Sequence, residues 1–333
     1  MRVAISLGLA AALFALFLSR APLGQVLVEI RRVHLALLVA SVAAALLGYL
    51  LRSLRWGLIL RPVGRAPAAD LWGCTAAGFA ASTVLPARAG EVVRPALLSA
   101  RTGLSLAGCL ASIVTERLAD AATVVACFGG GVLVAGDRVS AAWRGSLHSA
   151  ALLVAAGLVV AFASAIVLLR LRVGAVARLS ALAPLRFRPN VRAFLDHLLD
   201  GLAVIRDPAR LLELAAWSAL TWAMITCQTW LLLRAFDIVL GPAEVLIMIA
   251  VSVLGLAVPT PGGVGGFHAA VQFALVQILS VPVASASAFA LVHHAVCFFP
   301  ITIAGLWYVA SHGLSMRRVA EAESTQGEAG GPA

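Results

Sequence analysis

The chain has 333 residues, of which 62% are hydrophobic and only 12% are charged, and its mean hydropathy is +1.00. A soluble domain needs about 25% charged residues to hydrate its surface, so the composition excludes an ordinary soluble domain. Apolar runs recur from end to end, which predicts an all-α fold, a polytopic bundle of membrane helices. All 25 basic residues are arginine. A coding bias explains this better than nucleic-acid binding does, so we expect no nucleic-acid partner.

Six segments are long and apolar enough to be predicted as full spans. The first resembles the apolar core of a signal peptide but lacks an A-x-A cleavage signature, so we expect it to stay uncleaved. The six are Val3–Leu18, Leu35–Leu51, Ala121–Ala135 with its upstream turns, Leu147–Leu169, Leu211–Leu233 and Ala284–Ala310.

Two further apolar segments, Leu71–Leu85 and Val245–Val258, are too short to cross. Fifteen residues of helix reach about 22 Å, less than the hydrocarbon thickness of about 30 Å. Each breaks at a proline, Pro86 or Pro259. Val264–Leu279 is predicted to return from the second break. Paired, interrupted segments of this kind point to a midplane binding site between inverted repeats, so we predict two re-entrant hairpins in inverted halves, 33–146 and 147–310.

Arginine clusters predict the orientation, because they mark cytoplasmic loops. The densest cluster lies between residues 170 and 210, and the pattern places both termini in the cytoplasm. Segment 186–210 is predicted to be an amphipathic helix on the cytoplasmic surface. Residues 1–312 are predicted to form one transmembrane domain. The acidic, glycine-rich stretch 313–333 is predicted to be a disordered tail.

Charged side chains follow the first short segment and would lie at membrane depth. Each unpaired charge would raise the free energy of membrane insertion by about 2.5–3.5 kcal/mol, so these side chains must pair with one another or line a hydrated cavity. Arginine can grip a lipid phosphate bidentately, with carboxylates orienting the arginines or contacting a headgroup amine; a purely structural ion-pair network is the alternative. The candidate phosphate contacts are Arg88, Arg94 and Arg117. The candidate orienting carboxylates are Glu91, Glu116 and Asp120.

The second break carries prolines and glycines at membrane depth, where irregular backbone survives only inside protein or beside water. It is predicted to line the cavity, with a tight turn as the alternative. The predicted cavity-loop residues are Pro86, Gly90, Pro259, Pro261, Gly262, Gly263, Gly265 and His268. His268, His293 and His294 are interpreted as satisfied interior histidines, with proton coupling as the alternative. Interface anchoring is predicted for Arg52, Arg55 and Trp56.

Three motifs, together with the turn at 52–56, resemble the lysylphosphatidylglycerol synthase transmembrane-region family, the flippase-like domain. They are Leu85-Pro86-Ala87-Arg88-Ala89-Gly90-Glu91-Val92-Val93-Arg94, Glu116-Arg117-Leu118-Ala119-Asp120 and Pro259-Thr260-Pro261-Gly262-Gly263-Val264-Gly265-Gly266-Phe267. The resemblance covers about residues 33–310. It implies a lipid-flipping module in the cell membrane. The family commonly has glutamate where this chain has His268, and no synthase domain is expected after Ala310.

The sequence therefore predicts a flippase or scramblase for an anionic phospholipid or a lipid-linked envelope precursor. The alternative is a non-catalytic membrane subunit that recruits an envelope glycosyltransferase or a lipid-modifying enzyme. Hydrolase and metalloprotease motifs are absent from the sequence, so we expect no catalytic residues. The five cysteines lie in apolar runs without CxxC spacing, so we expect no metal and no cofactor.

Overall fold

The computed structural model describes residues 2–85, 89–202, 207–258 and 260–312. Within these ranges the chain forms α-helices joined by short turns and 3₁₀ segments, and one helix continues into a π-helical segment, Ala274–Ile278. The helices are α1 Arg2–Ser19, α2 Leu23–Arg31, α3 Leu35–Ile59, α4 Ala68–Val84, α5 Gly90–Thr102, α6 Leu106–Ala135, α7 Ala141–Arg170, α8 Arg172–Ala181, α9 Arg188–Leu202, α10 Pro208–Ala235, α11 Pro242–Leu256, α12 Gly266–Phe273 and α13 Val283–Ser311.

Four of the described helices, α3, α6, α7 and α13, are long and apolar enough to cross a membrane. The helices α1 and α2 would make a fifth span together, but they meet at a bend of 85°. Helix α10 has 28 residues, yet polar side chains such as Gln228 and Thr229 lower its hydropathy. Six spans were predicted from the sequence, and length and composition support four or five.

Helices α3 and α10 run antiparallel through the middle of the bundle. At one end, the backbone N–H of His34 donates to the carbonyl of Ala235 at 3.0 Å. At the other end, Arg61 pairs with Glu213 at 2.8 Å. We call these the His34 end and the Arg61 end of the bundle.

Two helical hairpins enter the bundle from these opposite ends. The pair α4–α5 follows α3 at the Arg61 end, and its outer ends are joined by Arg101 and Asp70 at 2.6 Å. The pair α11–α12 follows α10 at the His34 end. In each hairpin, two glycines allow the backbones to touch: Gly78 packs on Gly90, and a Cβ on Gly266 would lie 2.5 Å from the carbonyl oxygen of Gly255. Both short segments therefore form hairpins and do not cross the bundle.

The apolar core is largest where the second hairpin packs, and it includes Ile247, Val271 and Phe289, each 0% exposed. Helix α1 reaches this core from the far end of the chain. Its backbone at Ala10 and Phe14 closes around Gly265, at the start of α12. Helix α7 contributes little, since only 6% of its most apolar window is buried.

The predicted span Ala121–Ala135 with its upstream turns is part of a longer helix. Helix α5 ends before Gly103, which has φ 71°, and α6 begins at Leu106, where the Ser105 side chain accepts from Gly108 N–H. Helix α6 is therefore one continuous helix of 30 residues.

The predicted amphipathic segment 186–210 contains the 15-residue helix α9. Its location on the cytoplasmic surface stays a prediction. Leu199 and Leu202 pack with Val176 of α8 in a small core of their own, and the helix contacts α6. Residues 203–206 and the predicted tail 313–333 lie outside the described residues.

Candidate functional site

Charged side chains from α3, α5 and α6 converge inside the half of the bundle that contains the first hairpin. We call them the ion cluster. Its members are Arg55, Arg94, Glu116, Arg117 and Asp120. Arg55 and Glu116 are 0% exposed, and Arg94 and Asp120 are 5% and 7% exposed. Charges buried this far from water must be paired, because isolated ions are too costly in an apolar interior.

Glu116 is the centre of the ion cluster. Its Oε2 accepts a hydrogen bond from Nη1 of Arg94 at 2.9 Å, and its Oε1 accepts from Nη2 of Arg117 at 2.7 Å. Nη2 of Arg55 lies 3.7 Å from the same Oε1. One carboxylate therefore balances arginines from three helices, which ties α5 and α3 to α6.

Asp120 lies one turn further along α6 and holds the other side of the cluster. Arg55 donates to its Oδ1 at 2.6 Å, and the indole N–H of Trp222 donates to the same oxygen at 3.2 Å. Arg117 pairs with Oδ2 at 3.2 Å. Arg55 also donates to the hydroxyl of Ser218 at 3.2 Å. These bonds bring α10 into the site.

Arg94 does not use all of its hydrogen-bond donors. Its guanidinium lies over the ring of Trp56, 3.9 Å from the centroid, and the Trp56 indole donates to Ser112 at 2.9 Å. Among the described residues, Nε and Nη2 of Arg94 are buried with no hydrogen-bond partner. A buried donor without an acceptor costs about 1–3 kcal/mol, so the site has unused capacity for an oxygen ligand.

The charge balance also favours an anion. The ion cluster has three arginines and two carboxylates, a net charge of +1. Among the described residues, two further groups act on it electrostatically: Arg52 on Asp120 and Glu91 on Arg117. Because they carry opposite charges, the net charge stays +1. An arrangement of this kind can bind one phosphate oxyanion.

The turns of the two hairpins meet near the middle of the bundle. A Cβ on Gly262 would lie 3.3 Å from Cγ2 of Thr83, at the end of α4. Thr302 of α13 donates to the Thr83 hydroxyl at 3.1 Å. His294 of α13 bonds the carbonyl of Gly262 at 2.8 Å. The turn of the second hairpin is thus fixed to the first hairpin and to α13.

Most of the predicted site residues that the structure describes fall into two groups, and Glu91 acts on one of them through Arg117. Arg94, Glu116, Arg117 and Asp120 come together in the ion cluster. The cavity-loop residues Pro261, Gly262, Gly263, Gly265 and His268 line the second turn, which contacts α1, α4 and α13. Gly90 acts at the packing contact of the first hairpin. Pro86, Arg88 and Pro259 lie outside the described residues.

The prediction that Arg55 and Trp56 are interface anchors is wrong, since both are 0% exposed. Arg55 belongs to the ion cluster and Trp56 supports Arg94. The sequence contained one signal of this burial. Arg52 and Arg55 lie three residues apart within the long apolar helix α3, where an arginine needs an acidic side chain to pair with. The contributions of Ser218 and Trp222 come from tertiary packing and have no sequence motif.

A cavity of about 220 Å³ lies beside the ion cluster, toward the Arg61 end. Ile59 lines it from α3, one turn beyond Arg55, and Leu214 lines it from α10, one turn before Ser218. One turn of helix is about 5.4 Å, so the cavity begins close to the Arg55–Ser218 bond. Arg61 and Arg210 form part of its wall.

A bundle of apolar helices around a buried, arginine-rich ion cluster is typical of an integral membrane protein. The chain belongs to the family described as the lysylphosphatidylglycerol synthase TM region, whose model matches residues 3–305. The resemblance seen in the sequence motifs is thereby confirmed, and it relates the protein to lipid handling. A comparison with curated proteins finds no match.

Proposed function

We propose that the protein moves an anionic phospholipid or lipid-linked envelope precursor across the cytoplasmic membrane, as a flippase or scramblase and not as an enzyme. The observation that carries this proposal is the pair of unpartnered, buried donors on Arg94 within a cluster of net charge +1. A phosphate can accept from two arginine nitrogens at once. Binding it would satisfy both donors and neutralise the excess charge.

The accessibility of Arg117 favours a lipid over a free anion. Its side chain is 36% exposed, and it lies on α6 between Val114 and Leu118, which are 37% and 43% exposed. Large apolar side chains exposed on a membrane helix face acyl chains. A headgroup could therefore reach Arg117 sideways while its acyl chains stay in the bilayer.

The headgroup of the transported lipid would pass between the two hairpins. We propose that they belong to inverted repeats and that the Arg61 end faces the cytoplasm, because the arginine-rich segments cluster there. The cavity beside Ile59 and Leu214 would admit the headgroup from that side. Separation of the two turns at Thr83 and Gly262 would then open the way to the other leaflet.

Arg94→Lys tests the proposal with little change in charge. Lysine keeps the positive charge that Glu116 needs but cannot make a bidentate, planar contact. In vesicles that contain a fluorescent anionic phospholipid, we expect Arg94→Lys to slow lipid movement by about tenfold or more, since a charged hydrogen bond contributes roughly 1.5–3 kcal/mol.

Arg101→Lys is the matched control, because Arg101 is on the same helix and pairs with Asp70 at the Arg61 end. It should move lipid at the wild-type rate. Equal rates for Arg94→Lys and the wild type would refute the assignment of Arg94, and a wild-type protein that moves no lipid would refute the function.

The alternative, a membrane subunit that recruits a cytoplasmic envelope enzyme, draws support from the α8–α9 region. Leu182 and Leu185 are 83% and 77% exposed there, and the arginines beside them, Arg186 and Arg188, are exposed too. Such a surface suits a protein partner with acidic groups around an apolar patch. Co-purification of an envelope enzyme that is lost on Leu182→Ser and Leu185→Ser substitution, with no lipid movement by the pure protein, would favour this function.

A further inference from the structure

Three histidines are buried beside the turn of the second hairpin, away from the ion cluster. His268 lies on α12, and His293 and His294 lie on α13. They are 3%, 3% and 7% exposed. The rings of His268 and His294 are the closest pair, with centroids 4.5 Å apart. Lipid binding at Arg94 makes no use of them.

The hydrogen bonds of this pair assign the protons on each ring. The backbone N–H of Gly265 donates to Nδ1 of His268 at 3.4 Å, so this nitrogen carries a lone pair and the proton is on Nε2. The carbonyl of Gly262 can only accept, so Nε2 of His294 donates to it at 2.8 Å. Both bonds hold the turn between α11 and α12.

The surroundings of the pair are aromatic and uncharged. Phe14 and Phe17 of α1 lie 5.2 and 5.4 Å from the His268 ring, and Phe298 stacks on His294 at 4.4 Å. Among the described residues, the groups that act electrostatically on the two rings are the rings themselves, the Gly262 carbonyl and the ring of His293. Nε2 of His293 lies 3.4 Å from the Thr229 hydroxyl of α10, and the Cys297 thiol approaches Gln228.

We propose that His268 and His294 form a binding site for a single proton whose occupancy opens the turn of the second hairpin. A proton taken from water by His268 must go onto Nδ1, where it faces the Gly265 N–H. Two donors then oppose each other, and the bond at the start of α12 is lost. A second proton is excluded, because two imidazolium rings 4.5 Å apart would repel each other.

The consequence for transport rests on the function proposed above. Loss of the Gly265 bond loosens the turn that carries Gly262, and Gly262 lies against Thr83 of the first hairpin. Proton uptake would therefore separate the two turns, and proton release would let them close again. The rings of Phe14, Phe267 and Phe298 can stabilise the single imidazolium by cation–π contact.

Hydrogen exchange of the purified chain in lipid nanodiscs tests the proton site without reference to transport. Exchange of residues 260–268, corrected for the intrinsic effect of pH, would be compared at about pH 7.5 and about pH 5.5, because a histidine that opening of the turn exposes to water changes charge in this range. We expect opening to increase about fivefold at the lower pH in the wild type, the effect of losing one ordinary hydrogen bond.

His268→Gln keeps a side-chain acceptor for Gly265 but cannot bind the proton, so its exchange should not change with pH. His293→Gln is the control and should keep the response, because the hydrogen-bond contact of the His293 ring is with Thr229 of α10 and not with the turn. An unchanged wild type, or a full response in His268→Gln, would overturn the proposal. A wild type that shows the response but moves no lipid refutes the proposed function and supports the proton site.

Discussion

Replacing Glu116 by Gln removes the carboxylate that three arginines share. Gln has nearly the same size but no charge, so the ion cluster changes from a net charge of +1 to +2. Arg94 and Arg117 lose their bonds to a carboxylate, at 2.9 and 2.7 Å. Removing one partner from a buried ion pair costs about 3–5 kcal/mol. We expect the free energy of unfolding of Glu116→Gln to fall by about that amount.

The measurement is denaturant unfolding of the purified protein in detergent, followed by tryptophan fluorescence, to which Trp56 and Trp222 in the site contribute. Glu213→Gln is the control. Its partner Arg61 has a side chain 60% exposed, and pairs this exposed are worth about 1 kcal/mol or less. If Glu116→Gln lowered stability no more than the control does, the cluster would be hydrated and weakly coupled, and the reasoning from burial would fail.

Two further substitutions test how the first hairpin is held. Gly90→Ala should destabilise the protein by about 1–3 kcal/mol and slow lipid movement, because the new Cβ would collide with the backbone carbonyl of Gly78. Gly129→Ala is the control, because Gly129 lies on α6 with open space around it. It should show neither effect in the same unfolding and vesicle assays. Asp70→Asn breaks the partly exposed pair with Arg101 and should cost no more than about 1 kcal/mol, a value that a larger loss in the same unfolding assay would contradict.

The sequence predicted the elements with strong local signals. Segments such as Leu71–Leu85 are too short for a bilayer and end at a proline, so the expectation that they turn back as hairpins follows from their length and the proline. Glu116, Arg117 and Asp120 lie three and four residues apart on one helix, and this spacing places them on one face. Both features are local in the sequence, so they could be predicted without knowing how the rest of the chain packs.

The features that the sequence did not predict depend on contacts between distant segments. Arg55 looks like an interface anchor beside Arg52 and Trp56, and only the approach of α6 and α10 shows that it faces Asp120 and Ser218. The start of α6 was misjudged because Glu116 and Arg117 lower the hydropathy of its first turns. Charges paired across helices give no signal within either helix.

The contact of α1 with Gly265 has a consequence for biogenesis. Leu13 and Gly265 are 265 − 13 = 252 positions apart, and at 5–20 residues per second the ribosome needs about 13–50 s to make the intervening chain. During that interval the segments against which α1 packs most, α12 and the turn before it, have not yet been made. Because α1 is apolar, lipid acyl chains can solvate Phe14 and Phe17 at little cost in free energy until the last third of the polypeptide has been made.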